Sequence, residues 1–442
     1  MNPIGAILTA FFAAIVIGAS RSTAALSVIA ATCYLTQGQQ ILIGEFHFTA
    51  IRIVLLMGIT RCLFRGEFNG WKLTGIDKAF IGYAVAELCA YTIREKTTEA
   101  FVYILGCSYN VVLSYFLFRC LITNLEDTQK FIRRLAVLIV PLAMLMILES
   151  VTRQNIFSAM GGQGWDTAYF RGDRVRCVAS FRGPHSAGIF GATLFPLFIS
   201  LWLVPRLRFI ALAGCLASGL ITFTSNSSGP LLALVSGVVG LSFWYVRGNM
   251  KLVRRGIVVT LVTLHLVMKA PVWFLFMKLG ALTGGDGWTR SYVIDRAIHY
   301  FPDWWLVGTS QTGKWMGDAM TSMDITDQFV ARAINGGALG LFFYILIIVR
   351  CFRYLGLARA ATKDHSATTE ILLWCLGSAL FAHIMAQFTV SYFDQIHVPW
   401  LGLLAIISST TSSLLAAEPA PASMAENSEP SPSGSTEETE LA

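Results

Sequence analysis

Long runs of apolar residues without a single charge constrain this chain more than any other feature. Leu135–Leu148 and Leu231–Trp244 are two such runs. Exposing them to water would cost roughly 25 cal/mol per Å² of apolar surface. A bilayer removes that cost, and its thickness asks for about 20 residues per helical crossing. Charge is scarce throughout: 13% of the 442 residues are charged, against about a quarter in soluble domains. These features predict an all-α polytopic membrane protein.

Apolar segments fall near residues 4–18, 23–37, 48–64, 78–93, 101–122, 132–150, 186–204, 208–224, 229–246, 256–272, 334–350, 370–388 and 397–415, so about 12–13 transmembrane helices are expected. All should be helical, because lipid offers backbone groups no other partner. Residues 1–18 lack the basic flank of a signal peptide and read as a retained first span. The expected membrane domain covers 1–415, with two long periplasmic loops at 151–185 and 273–333. With those loops outside, nearly every short basic cluster falls on the opposite side: Arg61, Arg65 and Lys72; Lys130, Arg133 and Arg134; Arg247, Lys251, Arg254 and Arg255; Arg350, Arg353 and Arg359. That is the arrangement of the positive-inside rule. The net charge of +7 is therefore a matter of topology and anionic lipid, and no nucleic-acid partner is expected. Residues 416–442, rich in Pro, Ser and Glu, read as a disordered cytoplasmic tail. The nine cysteines show no metal or redox spacing, and Cys33, Cys89, Cys107, Cys215 and Cys375, inside apolar runs, read as small buried hydrophobes. No metal site or cofactor is expected.

Candidate chemistry lies in the loops. Arg171, Arg174, Arg176 and Arg182 precede His185, where a helix opens at Gly183-Pro184. Guanidinium groups beside a helix N-terminus suit phosphate oxygens; interfacial arginines reaching for head groups would look the same. Asn226 and Ser228, in a turn between two spans, either line a polar cavity or cap the next helix. Trp304 and Trp305 either stack on sugar rings or belong to an aromatic belt. Asp324 and Asp327 are three residues apart, on one face if helical, and either carboxylate could be a general base. Arg52 is an ionisable group in the outer half of a span, and such groups are functional candidates.

Taken in order, the motifs resemble a known family. They are Phe181-Arg-Gly-Pro184, Thr224-Ser-Asn-Ser-Ser-Gly-Pro230, Gly287-Trp-Thr-Arg-Ser-Tyr-Val-Ile-Asp-Arg-Ala297, Trp304-Trp-Leu-Val-Gly-Thr309, Asp324-Ile-Thr-Asp-Gln-Phe329 and Gly336-Gly-Ala-Leu-Gly340. Their order and topology are similar to the O-antigen ligase and polysaccharide polymerase superfamily of bacterial inner membranes, over roughly 45–405 and most clearly over 170–345. The resemblance implies a metal-independent glycosyltransferase. Such an enzyme moves a glycan from a polyprenyl-pyrophosphate carrier to a sugar hydroxyl of a glycan or lipid-linked acceptor, at the outer face of the membrane. Membrane lipids and other polysaccharide-export proteins are the further partners it implies. By the same resemblance Arg182 and Arg290 hold the pyrophosphate. The His-Asn pair of the ligases falls on Thr326-Asp327, and the missing histidine favours a polymerase-like or divergent member with Asp327 or Asp324 as base. A transporter or flippase would show repeat symmetry between halves, which the sequence lacks; a non-catalytic export subunit would need none of these residues.

Overall fold

The computed structural model describes residues 1–43, 46–68, 71–161, 169–278, 287–316, 325–362 and 366–417. Of the described residues, 81% are helical, as the charge-free runs require. Six helices come first: α1 (Pro3–Gly18), α2 (Arg21–Tyr34), α3 (Ala50–Phe64), α4 (Gly75–Glu95), α5 (Thr98–Leu121) and α6 (Leu125–Thr152). Four more follow: α7 (Pro184–Ile199), α8 (Arg208–Thr224), α9 (Ser228–Ser242) and α10 (Met250–Val267). The amphipathic α11 (Gly287–His299) precedes α12 (Gln328–Thr362), α13 (Ala367–Gln387) and α14 (His397–Ala417).

Every expected apolar segment coincides with a helix, yet length and composition qualify only eight helical stretches among the described residues as membrane spans. Most of the difference is geometric; the exception is α4, long enough at 21 residues but carrying Asp77, Lys78, Glu87, Arg94 and Glu95. Helices α1 to α3 hold 16, 14 and 15 residues, about 21–24 Å at 1.5 Å per residue, short of a roughly 30 Å hydrocarbon layer. Two expected segments merge into the 40-residue stretch Ser228–Val267, kinked at Val246 where φ is −111° and ψ 16°.

One apolar core joins α1 to α9 with α12, α13 and α14. Helix α7 is its most enclosed member, with 78% of its span window buried, clasped by α8 and α9. Ser218 Oγ donates to the Gly191 carbonyl at 2.6 Å across the α7–α8 contact, as small polar residues do between membrane helices.

The connections gather at two ends. At one end Arg21 and Arg61 meet Glu67, Asp77 accepts from Arg119, Tyr115 and Ser408, and Arg247 and Arg359 flank Glu370. The other end carries two antiparallel hairpins. The first pairs β1 (Gln40–Ile43) with β2 (Phe46–Thr49), and the second pairs β3 (Tyr169–Arg171) with β4 (Arg174–Arg176). The second lies within the expected loop 151–185: Gly172, at φ 59°, supplies a left-handed turn residue, and Val175 turns inward while Arg174 stays exposed.

Candidate functional site

The end with the hairpins carries nearly all of the predicted site residues that the structure describes. Its framework is a set of buried polar ties. The Glu149 carboxylate, at the end of α6, accepts the amides of Val178 and Ala179 at 3.0 and 2.9 Å. It thereby holds Ala179 at φ 51°, an unfavourable conformation for a non-glycine residue. The Cys177 amide donates to the Thr224 carbonyl at 3.1 Å. Gln395, between α13 and α14, gives its amide group to the carbonyls of Thr32, Leu35 and Ser180 and accepts the Arg182 amide at 3.0 Å. Neither Glu149 nor Gln395 stands out in the sequence, because each acts on peptide groups far away in the chain.

On this framework the starts of α7 and α9 converge. Arg176, leaving β4, donates to Ser227 Oγ at 3.1 Å and lies 3.2 Å from His185 Nε2. The other ring nitrogen of His185 is 2.6 Å from Ser227 Oγ. One residue on, Ser228 Oγ accepts from the buried Arg290 of α11 at 3.5 Å. Arg176, Arg290 and Arg171 are all close enough to His185 to act on its charge. Neither α7 nor α9 has a side-chain N-cap, so amides of both first turns are left for another acceptor. Among the described residues, Arg176 Nε and Asn226 Nδ2 are buried without a partner. Burial and the charge of Arg171 both push the Arg176 pKa below its ordinary value. An anion seated here would relieve that repulsion and meet the orphaned donors.

Other predicted residues stand apart from this cluster. Arg182 lies beyond the Gly183-Pro184 break, 52% exposed, paired to Asp394 at 2.8 Å and lying over the Phe393 ring. Arg174 is exposed on β4. Arg52 gives its three guanidinium nitrogens to Asn110 Oδ1 and the carbonyls of His47 and Gly106; it ties α3 to α5, which accounts for it without a ligand. Trp304 is no sugar platform: it is buried, donates to the Ala297 carbonyl at 2.7 Å, and packs with Val293, Trp315, Val330 and Ala333. Trp305 keeps its ring half exposed at 49%. Asp324 lies outside the described residues.

Asp327 starts α12 as its N-cap: Oδ1 accepts the Val330 amide at 2.9 Å. It is 1% exposed, and Oδ2 has no partner among the described residues. Burial pushes this carboxyl up to about 7.

Just beyond, α12 breaks at Gly337, where φ is 64° and ψ −169°. The break is filled by the Trp304–Thr309 motif: the Ala338 amide reaches the Trp305 carbonyl at 2.8 Å, and the Thr309 amide reaches the Ile334 carbonyl at 2.9 Å. Arg94, from the end of α4, donates to the carbonyls of Val307 and Ile334. Irregular backbone at membrane depth needs such partners. On the segment before the break, Arg332 pairs with Glu87 at 2.6 Å and donates to Tyr83. Arg332 is a residue the sequence reading missed, although a lone arginine between alanines before a Gly-Gly pair was a signal.

No protein-family model matches the chain, and no curated protein does, so the family resemblance rests on the motifs and their order.

Proposed function

We propose that this protein transfers a glycan from a polyprenyl-pyrophosphate carrier to a sugar hydroxyl, at the outer face of the bacterial inner membrane, in the manner of the O-antigen ligase and polysaccharide polymerase superfamily. The observation carrying this reading is the pocket of Arg176, His185, Ser227, Ser228 and Arg290 between two uncapped helix starts, with orphaned donors on Arg176 and Asn226. It is an anion site at the end of a membrane bundle, suited to a phosphate whose lipid tail lies alongside.

In this reading Arg176 and Arg290 hold one phosphate, and their charge, already in place, stabilises the departing pyrophosphate. Arg182 takes the second phosphate in exchange for Asp394. Asp327 accepts the proton of the acceptor hydroxyl. The end with the hairpins and the expected loops then faces the periplasm, and the basic end and the 416–442 tail face the cytoplasm.

The test is glycan analysis of a deletion strain complemented with variants. Arg176→Ala and Arg290→Ala should each lose long polysaccharide while lipid-linked repeat units accumulate. Loss of one such preorganised contact costs about 10²–10³ in rate. Arg182→Ala should lose activity while Asp394→Asn keeps it; equal loss would reduce Arg182 to a structural ion pair. Repeat units trapped on the cytoplasmic face would make the protein a flippase, and long polymer left on its carrier would make it a ligase. Wild-type polymer from both Arg176→Ala and Arg290→Ala would remove the pocket from the mechanism.

A further inference from the structure

At the end of the bundle opposite the anion pocket, three metal-binding side chains meet from three different elements. Cys62 lies in the last turn of α3, Cys120 in the last turn of α5, and Glu67 in the connection after α3. Their two sulfurs and a carboxylate oxygen all lie within 4.8 Å of one another. We propose that Cys62, Cys120 and Glu67 form a binding site for a soft divalent cation of the zinc class, with the fourth position left to water.

A tetrahedral zinc ion, with about 2.3 Å to sulfur and 2.0–2.2 Å to oxygen, sets its donors about 3.5–3.8 Å apart. The present cluster, within 4.8 Å, therefore needs to close by at most about 1.3 Å. The connection that carries Glu67 is already fixed: the Glu67 amide donates to the Cys62 carbonyl at 2.9 Å, and Cys120 Sγ lies 3.3 Å from the Glu67 carbonyl. Arg21 and Arg61 both bind Glu67 Oε1, at 3.3 and 3.2 Å. Oε2 is buried with no partner among the described residues, and it is the oxygen left to ligate. A Cys62–Cys120 disulfide would leave that oxygen orphaned; a metal satisfies it.

The nearby arginines do not oppose the ion. Binding releases two thiol protons as the dication enters, so two neutral thiols become a neutral metal dithiolate. The Glu67 carboxylate keeps its charge and its two guanidinium partners. Two thiolates beside one carboxylate suit zinc better than calcium or magnesium, which take oxygen ligands. Arg21, 42% exposed at its side chain, marks the way in from solvent.

The experiment uses the full-length protein in detergent, reduced, stripped with chelator and titrated with Co²⁺. A thiolate-to-cobalt charge-transfer band should saturate at about one equivalent and vanish when Zn²⁺ is added. Cys89→Ser should leave the band unchanged. Cys62→Ser and Cys120→Ser should abolish it, and Glu67→Gln should weaken binding by about 10–100-fold or more. Because a serine variant that misfolds would also lose the band, zinc X-ray absorption of the wild-type protein provides the second reading, and it should show two sulfur ligands. Absence of the band in wild type, its survival in Cys62→Ser, a sulfur-free zinc shell, or a Cys62–Cys120 disulfide in protein purified without reductant would each overturn the site.

Discussion

Asp327 joins a structural position to the chemical one proposed for it. Its Oδ1 caps α12 while its Oδ2 lies buried without a partner among the described residues. Asparagine is as good a cap as aspartate, so Asp327→Asn should keep the fold yet lose about 10²–10⁴ in rate if the carboxylate is the base. With the carboxyl raised to about 7 by burial, the ionised form that the proposed mechanism uses as base is lost as pH falls through that value. Wild-type rate should therefore decline on the acid side of about pH 7, and a pH–rate profile on isolated membranes would read it. An unchanged rate in Asp327→Asn would leave the residue as a cap alone. Of the arginine run, composition could show an anion-seeking segment but not which guanidinium turns inward. Arg176 does so because the neighbouring Cys177 amide is tied to Thr224, a contact across the fold that no spacing reveals.

At the scale of elements, the break in α12 is the feature that hydropathy could not reveal. The apolar run begins near 334, whereas the helix begins at Gln328 and continues through a left-handed Gly337. Both sides of the junction depend on glycine. A Cβ at Gly308, φ 77°, would lie 2.0 Å from the Ile334 carbonyl oxygen, and one at Gly337, φ 64°, would lie 2.5 Å from that of Leu306. Either alanine substitution should cost at least the ~1–2 kcal/mol of a left-handed residue, read as a lower melting temperature in detergent. Beside the break, Arg332→Met should cost about 3–5 kcal/mol by leaving Glu87 buried without its ion-pair partner. The double variant Glu87→Leu/Arg332→Met should recover most of that loss. If the single variant melts like wild type, the pair does not hold α4 to α12. The other helices were legible where uncharged runs were long; α1 to α3 and the α9–α10 stretch read as separate spans, because hydropathy marks apolar segments without showing how short or how merged their helices are.

At the scale of the whole molecule, two ends of different chemistry imply an orientation. The short basic turns share one end, and the Arg176–His185–Arg290 cluster and the hairpins share the other. An impermeant maleimide applied to spheroplasts should label Gln154→Cys, beyond α6, and spare Ser366→Cys, before α13; both positions are exposed. Labelling of Ser366→Cys alone would invert the topology and remove the pocket from the periplasm.

The four bonds of Gln395 also carry an implication for biosynthesis. This one side chain fastens Thr32, Leu35, Ser180 and Arg182, yet it is made more than two hundred residues after the last of them. Chains grow from the N-terminus and early segments fold first. The nascent bundle therefore waits with its arginine-bearing end unfastened until the stretch before α14 emerges. A ribosome stalled anywhere upstream would leave a membrane-inserted bundle whose arginine-bearing end has not yet closed.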